Sequence, residues 1–167
     1  MEERWVAADD PVLLPLIEDL ARDYDARYAP TDGVPSSAEL TRYPPAVFAA
    51  EQGGAFVAVV DGGVLVAGGA LKRGSRGADG RPLAELKRMW TDPGRRRQGL
   101  AGRVLRLLEQ RAADLGYTGL ELTTGARQPE AVALYLRHGW VPDFDPDVPR
   151  DAAAYLRFTK PAQAPAG

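Results

Sequence analysis

The sequence contains no cysteine and only one histidine, His138. The missing cysteines exclude disulfide bonds, a thiolate zinc site and a catalytic thiol, so covalent catalysis through sulfur is excluded as well. A single histidine allows no HxxH or HExxH spacing, and any His-based metal site would depend on carboxylates. We therefore expect no metal ion in the protein.

Long hydrophobic runs and an excess of one charge are also missing. No stretch reaches the roughly 20 apolar residues of a membrane helix, and the amino terminus does not resemble a secretory signal. Lys and Arg number 21 against 23 Asp and Glu, which argues against a positively charged surface for nucleic acid. With 167 residues, 45% of them hydrophobic, the chain predicts one cytoplasmic domain over 1–160 and a disordered tail over 161–167.

The 18 glycines and 14 prolines divide the chain into short elements. Helices are indicated by an N-cap at Asp9 or Asp10, by Pro129 and by apolar residues at helical spacing; they are expected at 11–20, 100–115 and 129–138. Strands are indicated by apolar or alternating runs, and an Asp-Gly-Gly turn predicts a hairpin; they are expected at 5–7, 55–60, 64–72, 83–91, 120–124, 140–141 and 153–159. We expect a flexible loop at 73–80. This order predicts an α/β (α+β) domain.

The segment with the most chemical content is 86–105, LKRMWTDPGRRRQGLAGRVL. In it a predicted strand is followed by a glycine-bearing loop that leads directly into a predicted helix. Backbone N–H groups at a helix start have no intrahelical partner and lie at the positive end of the helix dipole, so they can bind a phosphate. The segment has neither the Lys-Ser/Thr of a nucleotide P-loop nor the GxGxxG spacing of a dinucleotide-binding fold, which disfavours ATP and NAD.

This loop resembles that of the GNAT superfamily of acyl-CoA-dependent N-acyltransferases, whose pyrophosphate loop reads Arg/Gln-x-x-Gly-x-Gly/Ala. The corresponding residues here are Arg96-Arg97-Gln98-Gly99-Leu100-Ala101. Residues 128–140, QPEAVALYLRHGW, resemble the family motif Asn/Gln-x-x-Ala-x-x-Leu-Tyr-x-x-x-Gly-Phe/Tyr. The resemblance is clear over 54–142. It implies a GNAT-like mixed, mostly antiparallel central sheet flanked by helices on both faces.

The resemblance also implies acetyl-CoA as co-substrate and a set of residues that hold it. Backbone amides of the loop would bind the pyrophosphate, and the main chain of the preceding strand would bind the pantetheine arm and polarise the thioester carbonyl. The side chains of Met89 and Trp90 are equally well explained by core packing. The implied cofactor-binding residues are Met89, Trp90, Thr91, Arg96, Arg97, Gln98, Gly99, Leu100, Ala101, Gly102 and Gln128.

Two residues are candidates for proton transfer. The resemblance implies that Tyr135 protonates the departing thiolate, whereas a core tyrosine with a bonded hydroxyl is the alternative. Glu85 is the candidate base that deprotonates the amine, and an exposed ion pair with Lys87 or Arg88 is the alternative. His138 is expected to complement the dipole at a helix end rather than to act in catalysis.

Six arginines surround the loop and the helix that follows it, although the chain as a whole is slightly acidic. They are Arg95, Arg96, Arg97, Arg103, Arg106 and Arg111. Guanidinium groups suit bidentate contacts with the CoA phosphates. A solvated helix face explains Arg106 and Arg111 as well, and no aromatic interleaving supports nucleic-acid binding.

The acceptor is expected to be a small, positively charged amine or an amino-acid-like compound. This expectation rests on acids with aromatic neighbours in the first and last loops, which suit a cationic amine. The acids are Asp19, Asp23, Asp25, Asp32, Asp143, Asp145 and Asp147, and the aromatics are Tyr24, Tyr28 and Phe144. A protein or peptide N-acetyltransferase and a non-catalytic acyl-CoA-binding module are alternatives, and a homodimer is possible.

Overall fold

The structure, a computed structural model, describes residues 1–149, 151 and 155–164. Its strands are β1 (Glu2–Trp5), β2 (Ala55–Asp61), β3 (Val64–Arg76), β4 (Pro82–Thr91), β5 (Gly119–Gly125), β6 (Val141–Pro142) and β7 (Tyr155–Pro161). Its α-helices are α1 (Leu14–Arg27), α2 (Leu100–Asp114) and α3 (Pro129–Arg137). None of the described helices is long and apolar enough to cross a membrane.

Within the described residues, one seven-stranded sheet has the order β1-β2-β3-β4-β5-β7-β6. Its neighbouring strands are antiparallel except for β4 and β5, which run parallel. The expected mixed, mostly antiparallel sheet is therefore confirmed. The hairpin of β2 and β3 and the helices α2 and α3 also lie where apolar spacing and turn residues predict them.

Helices cover both faces of the sheet, and each face has its own core. The α1 face carries α1 and the 3₁₀ segments that follow it, with Leu16, Leu20 and Phe48 packed against Trp90. The α2 face carries α2 and α3, whose buried residues pack against strand residues such as Leu86. Because both faces are covered, a ligand can reach the middle of the sheet only where two neighbouring strands separate.

Several local predictions can be compared directly with the structure. Asp10 caps the first helical turn, because its Oδ1 accepts a hydrogen bond from the Val12 N–H at 2.9 Å. The flexible loop expected at 73–80 is wrong in its first half: β3 continues to Arg76 and pairs with the start of β4. Pairing with β4 makes this polar stretch a strand, although it lacks the alternation of hydrophobic residues that would predict one.

The strands at the two ends of the chain differ from their predicted bounds. The first strand is β1, which lies earlier than the expected 5–7 and consists of exposed residues. The expected last strand at 153–159 begins partly outside the described residues, and β7 continues to Pro161. Ala162 still donates a hydrogen bond to the Thr118 carbonyl at 3.0 Å. Residues 165–167 of the expected tail lie outside the described residues.

Candidate active site

Strands β4 and β5 pair only at their beginnings. Ala84 lies opposite Leu120 and Glu85 opposite Glu121, and no later pair joins the two strands although β4 continues to Thr91. Beyond Glu85 the strands diverge and leave a gap in the middle of the sheet. Main-chain N–H and C=O groups on the facing edges of this gap are available to an extended ligand.

A bulge in β4 accompanies the divergence. Gly68 pairs with Trp90 and Ala70 with Lys87, so Arg88 and Met89 together oppose Gly69 alone. Arg88 has a positive φ of 58°. A Cβ at Gly69 would lie 2.8 Å from the Met89 sulfur, so the close packing of Met89 over β3 requires a glycine there. Such bulges increase the local twist of a strand and redirect its side chains.

The alternation of main-chain groups identifies those that face the gap. The Asp92 N–H donates to the Val66 carbonyl of β3 at 2.9 Å. Because successive N–H groups point to opposite edges of a strand, those of Thr91 and Met89 point away from β3 and into the gap. The implied main-chain roles of these two residues therefore fit the geometry.

Trp90 is placed differently from Met89 and Thr91. Its main chain pairs with Gly68 on β3, and its side chain is buried in the core of the α1 face. The indole Nε1–H donates to Asp19 Oδ2 at 2.7 Å. Trp90 therefore anchors α1 on the sheet, and core packing is the better explanation of its identity.

The loop before α2 presents free backbone donors on the α2 face. Gly99 has a φ of 75° and is followed by α2, and the Arg103 N–H donates to the Gly99 carbonyl at 3.0 Å. The N–H groups of Leu100, Ala101 and Gly102 come before this first intrahelical donor, so they have no acceptor within the helix. Among the described residues no side chain caps this turn, and the turn contains no acidic residue. The loop from Arg97 to Gly102 can therefore bind a pyrophosphate.

The six arginines divide into committed and available groups. Arg95 pairs with Asp61 at 2.5 Å and Arg103 with Glu3 at 2.6 Å, while the Arg111 guanidinium lies 3.9 Å from the Trp5 ring centroid. Arg96, Arg97 and Arg106, in contrast, form no ion pair or side-chain hydrogen bond within the described part of the chain. Of these three, Arg96 and Arg97 belong to the loop itself, and their side chains are available for phosphates.

Tyr135 on α3 is buried on the α2 face. Its ring packs against Phe158 at 5.5 Å and Trp140 at 6.1 Å between centroids. Burial, and secondarily the nearby Tyr24 phenol, raise the pKa of Tyr135 far above its usual value. The hydroxyl is thus protonated at neutral pH, the state that a general acid requires.

Glu85 occupies the last paired position before the gap, on the α1 face. Its carboxylate accepts a hydrogen bond from Lys72 Nζ at 3.3 Å. The expected alternative partners are engaged elsewhere, because Lys87 pairs with Glu39 at 2.8 Å and Arg88 donates to the Leu40 carbonyl. Glu85 therefore lies on the opposite face of the sheet from the phosphate loop, beside the gap.

Gln128 and His138 mark the two ends of α3. The Gln128 side chain donates to the Tyr28 hydroxyl at 3.4 Å, which places its amide beside the end of β5. Burial, and secondarily the positive charge of Arg106, lower the pKa of His138. His138 lies at the C-cap of α3, where it was expected, and a lowered pKa reduces the positive charge that it can present to the helix dipole.

Most acids proposed for the acceptor site already have protein partners. Asp19 accepts from Trp90, Asp23 pairs with Arg27 at 2.8 Å, Asp25 accepts from the Ser37 N–H at 2.8 Å, and Asp143 lies 3.7 Å from Arg157. The structure instead places Arg88 beside the gap. A half-buried arginine inside a predicted strand carries no distinguishing sequence signal.

Comparisons with known proteins agree with this geometry. The model of the acetyltransferase (GNAT) family matches residues 15–140, whereas no curated protein matches the chain. A proposed acyl-CoA N-acyltransferase from Klebsiella pneumoniae is similar in structure, with a TM-score of 0.69, 24% identity and 97% of each chain covered. The YncA protein of Salmonella typhimurium, solved with its cofactor acetyl-CoA, has a TM-score of 0.67 at 15% identity, covering 99% of this chain and 96% of that one. The chain therefore belongs to the GNAT family of acetyltransferases and is an acyltransferase whose co-substrate is acetyl-CoA.

Proposed function

We propose that the protein acetylates a primary amine of a small molecule by direct attack of the amine on acetyl-CoA. The observation that carries this proposal is the gap between β4 and β5, which has free loop amides on one face and Glu85 on the other. Acetyl-CoA supplies an activated thioester. The amine reaches it from the α1 face, where Glu85 and Lys72 lie beside the opening.

The main chain of β4 binds and orients the donor. The N–H of Met89 faces the gap and donates to the thioester oxygen, which gains negative charge as the amine attacks. The N–H of Thr91 binds the neighbouring pantetheine arm, and the loop from Arg97 to Gly102 holds the pyrophosphate. These contacts use backbone groups, so they place few demands on side-chain identity.

Side chains on the two faces move the protons. Glu85, directly or through a water, accepts a proton from the amine as the C–N bond forms. Tyr135 donates its proton to the sulfur as the C–S bond breaks, and its burial keeps that proton in place beforehand. No acyl-enzyme is involved, consistent with a chain that has no cysteine.

A thiol-release assay with acetyl-CoA and an amine panel tests the proposal. The panel contains diamines, amino acids, amino acid amides and short peptides, so small-molecule, cationic and peptide acceptors are compared directly. Turnover of peptides alone would overturn the small-molecule assignment. Tight CoA binding without turnover of any amine would identify a binding module instead.

Two variants test the proton-transfer roles. Tyr135→Phe and Glu85→Gln each remove a proton donor or acceptor with little change in volume, and we expect each to lower kcat about 100-fold or more. CoA affinity, measured by calorimetry, is expected to change less than about threefold. An unchanged kcat would show that the substituted residue does not transfer a proton in the reaction.

A further inference from the structure

Arg88 is a cation of β4 beside the gap, and no carboxylate of the described residues forms a salt bridge with it. It belongs to the β4 bulge, is half-buried, and donates from Nη2 to the Leu40 carbonyl at 2.8 Å. Its guanidinium lies 4.7 Å from the Phe48 ring centroid, which places it on the α1 face. A guanidinium has five N–H donors, and Arg88 uses one of them within the described residues.

The neighbouring acids are already paired with other cations. Lys72 holds Glu85 and Lys87 holds Glu39, so neither carboxylate lies within salt-bridge distance of Arg88. The same two lysines and one further cation, Arg42, surround the nearby Tyr43 ring; Lys72, Lys87 and Arg42 lie 4.8, 5.1 and 5.5 Å from its centroid. The α1 face beside the gap therefore has more positive than negative charge.

Tyr24 is a second hydrogen-bond donor on the α1 face, and it belongs to α1. Burial is the main cause that raises the pKa of Tyr24 to about 12, and the positive charge of Arg88 partly opposes the rise. Tyr24 packs, partly buried, against the core of the α1 face, which also contains Phe48, the ring over which the Arg88 guanidinium lies.

We propose that Arg88 and Tyr24 bind a carboxylate of the acceptor, which makes the acceptor an amino acid or a close analogue. The guanidinium N–H groups that do not bind Leu40 can pair with the two oxygens of a carboxylate, and a protonated phenol adds a further donor. The acceptor amine then lies between Glu85 and the thioester. This inference rests on the proposed function and names its substrate class.

The experiment compares each standard L-amino acid with its amide as acceptor, using kcat/KM from thiol release. We expect the best amino acid to exceed its amide about 10- to 100-fold, the effect of a charged hydrogen-bonding pair. Arg88→Gln should remove this ratio, mainly through a higher KM for the amino acid, and Arg88→Lys should restore part of it. Arg42→Gln removes an exposed charge from the same face and should leave the ratio within twofold.

Two results would overturn the assignment. One is an equal loss for amino acid and amide in Arg88→Gln, because a purely structural arginine would affect both acceptors alike. The other is a wild-type preference for diamines without a carboxylate, which would favour a cationic acceptor while leaving N-acetyl transfer intact.

Binding measurements separate this inference from the proposed function. N-acetyl-L-amino acids are titrated calorimetrically into the protein with saturating CoA, and their amides serve as controls. If no amine is turned over but the wild type binds the acids at least 10-fold more tightly than the amides and Arg88→Gln does not, only the proposed function fails. Equal binding of acids and amides by the wild type overturns the role of Arg88.

Discussion

Replacement of Lys160 by Met is expected to destabilise the protein strongly. The Lys160 ammonium lies 3.1 Å from the carboxylate of Glu109 on α2, and it also donates to the His138 carbonyl at 2.8 Å. The Glu109 side chain is only 3% exposed, and it accepts one further hydrogen bond, from Trp140 Nε1 at 3.0 Å. This cluster joins α2, the end of α3 and β7 on the α2 face.

The expected loss of unfolding free energy follows from the groups that Lys160→Met leaves in the core. Met preserves the aliphatic stem but removes the charge, so a buried carboxylate retains one hydrogen bond and no counter-ion. Breaking a buried pair in this way costs about 3–5 kcal/mol, and the 20% exposure of Lys160 favours the lower end. For a domain of this size, about 3 kcal/mol lowers the Tm by roughly 6–12 °C.

Urea unfolding at pH 5 and pH 8 measures this effect. The unpaired carboxylate can relieve its cost by binding a proton, so the loss of unfolding free energy should be larger at pH 8. Adding Glu109→Gln to the variant removes the buried charge while an amide oxygen remains for Trp140, and should recover about half of the loss. A loss below about 1 kcal/mol that is equal at both pH values would show that Glu109 does not depend on Lys160 for its counter-ion.

Two further predictions concern the phosphate loop and the single histidine. Gly99→Ala places a side chain at a φ of 75°, which should cost about 1 kcal/mol of stability and weaken CoA binding several-fold, whereas Gly80→Ala, at a φ of 77° in a distant turn, should leave CoA binding unchanged. A calorimetric titration with CoA decides this, and equal affinity in both variants would contradict it. Folding lowers the pKa of His138. The resulting contribution of His138 to the free energy of unfolding is therefore fully present above pH 6.5, and it is lost as the pH falls through the lower pKa of the folded state. His138→Gln should therefore flatten the dependence of unfolding free energy on pH below 6.5, and an unchanged slope would show that another group causes it.

Local patterns predicted most of the elements that carry the site. Apolar spacing along α2 identified its buried face, and Asp-Gly-Gly identified the hairpin of β2 and β3. The phosphate loop could be found from the sequence because its chemistry depends on adjacent residues: a strand end, a glycine and a helix start. Such features are decided within about ten residues, where spacing and backbone preference dominate.

Features that depend on distant partners could not be predicted in the same way. Glu109 lies in an arginine-rich helix, yet it is buried against Lys160, 51 residues later in the chain. The polar end of β3 is a strand because it pairs with β4, and the Ser75 N–H donates to the buried carboxylate of Glu121 at 2.7 Å. Periodicity contains no information about such partners.

The element order, the phosphate loop, the exclusion of thiol chemistry and the resemblance to a family can all be read from the amino-acid sequence. The separation of β4 and β5, the arginines that remain available, and the place of Arg88 beside the gap with no salt bridge among the described residues emerge only from the three-dimensional arrangement. Residue type and spacing control local backbone conformation, whereas ion pairing and burial depend on which distant segments meet. The near-balance of charge in the sequence therefore combines buried pairs such as Glu109 and Lys160 with side chains such as Arg96 and Arg97, which form no ion pair within the described residues.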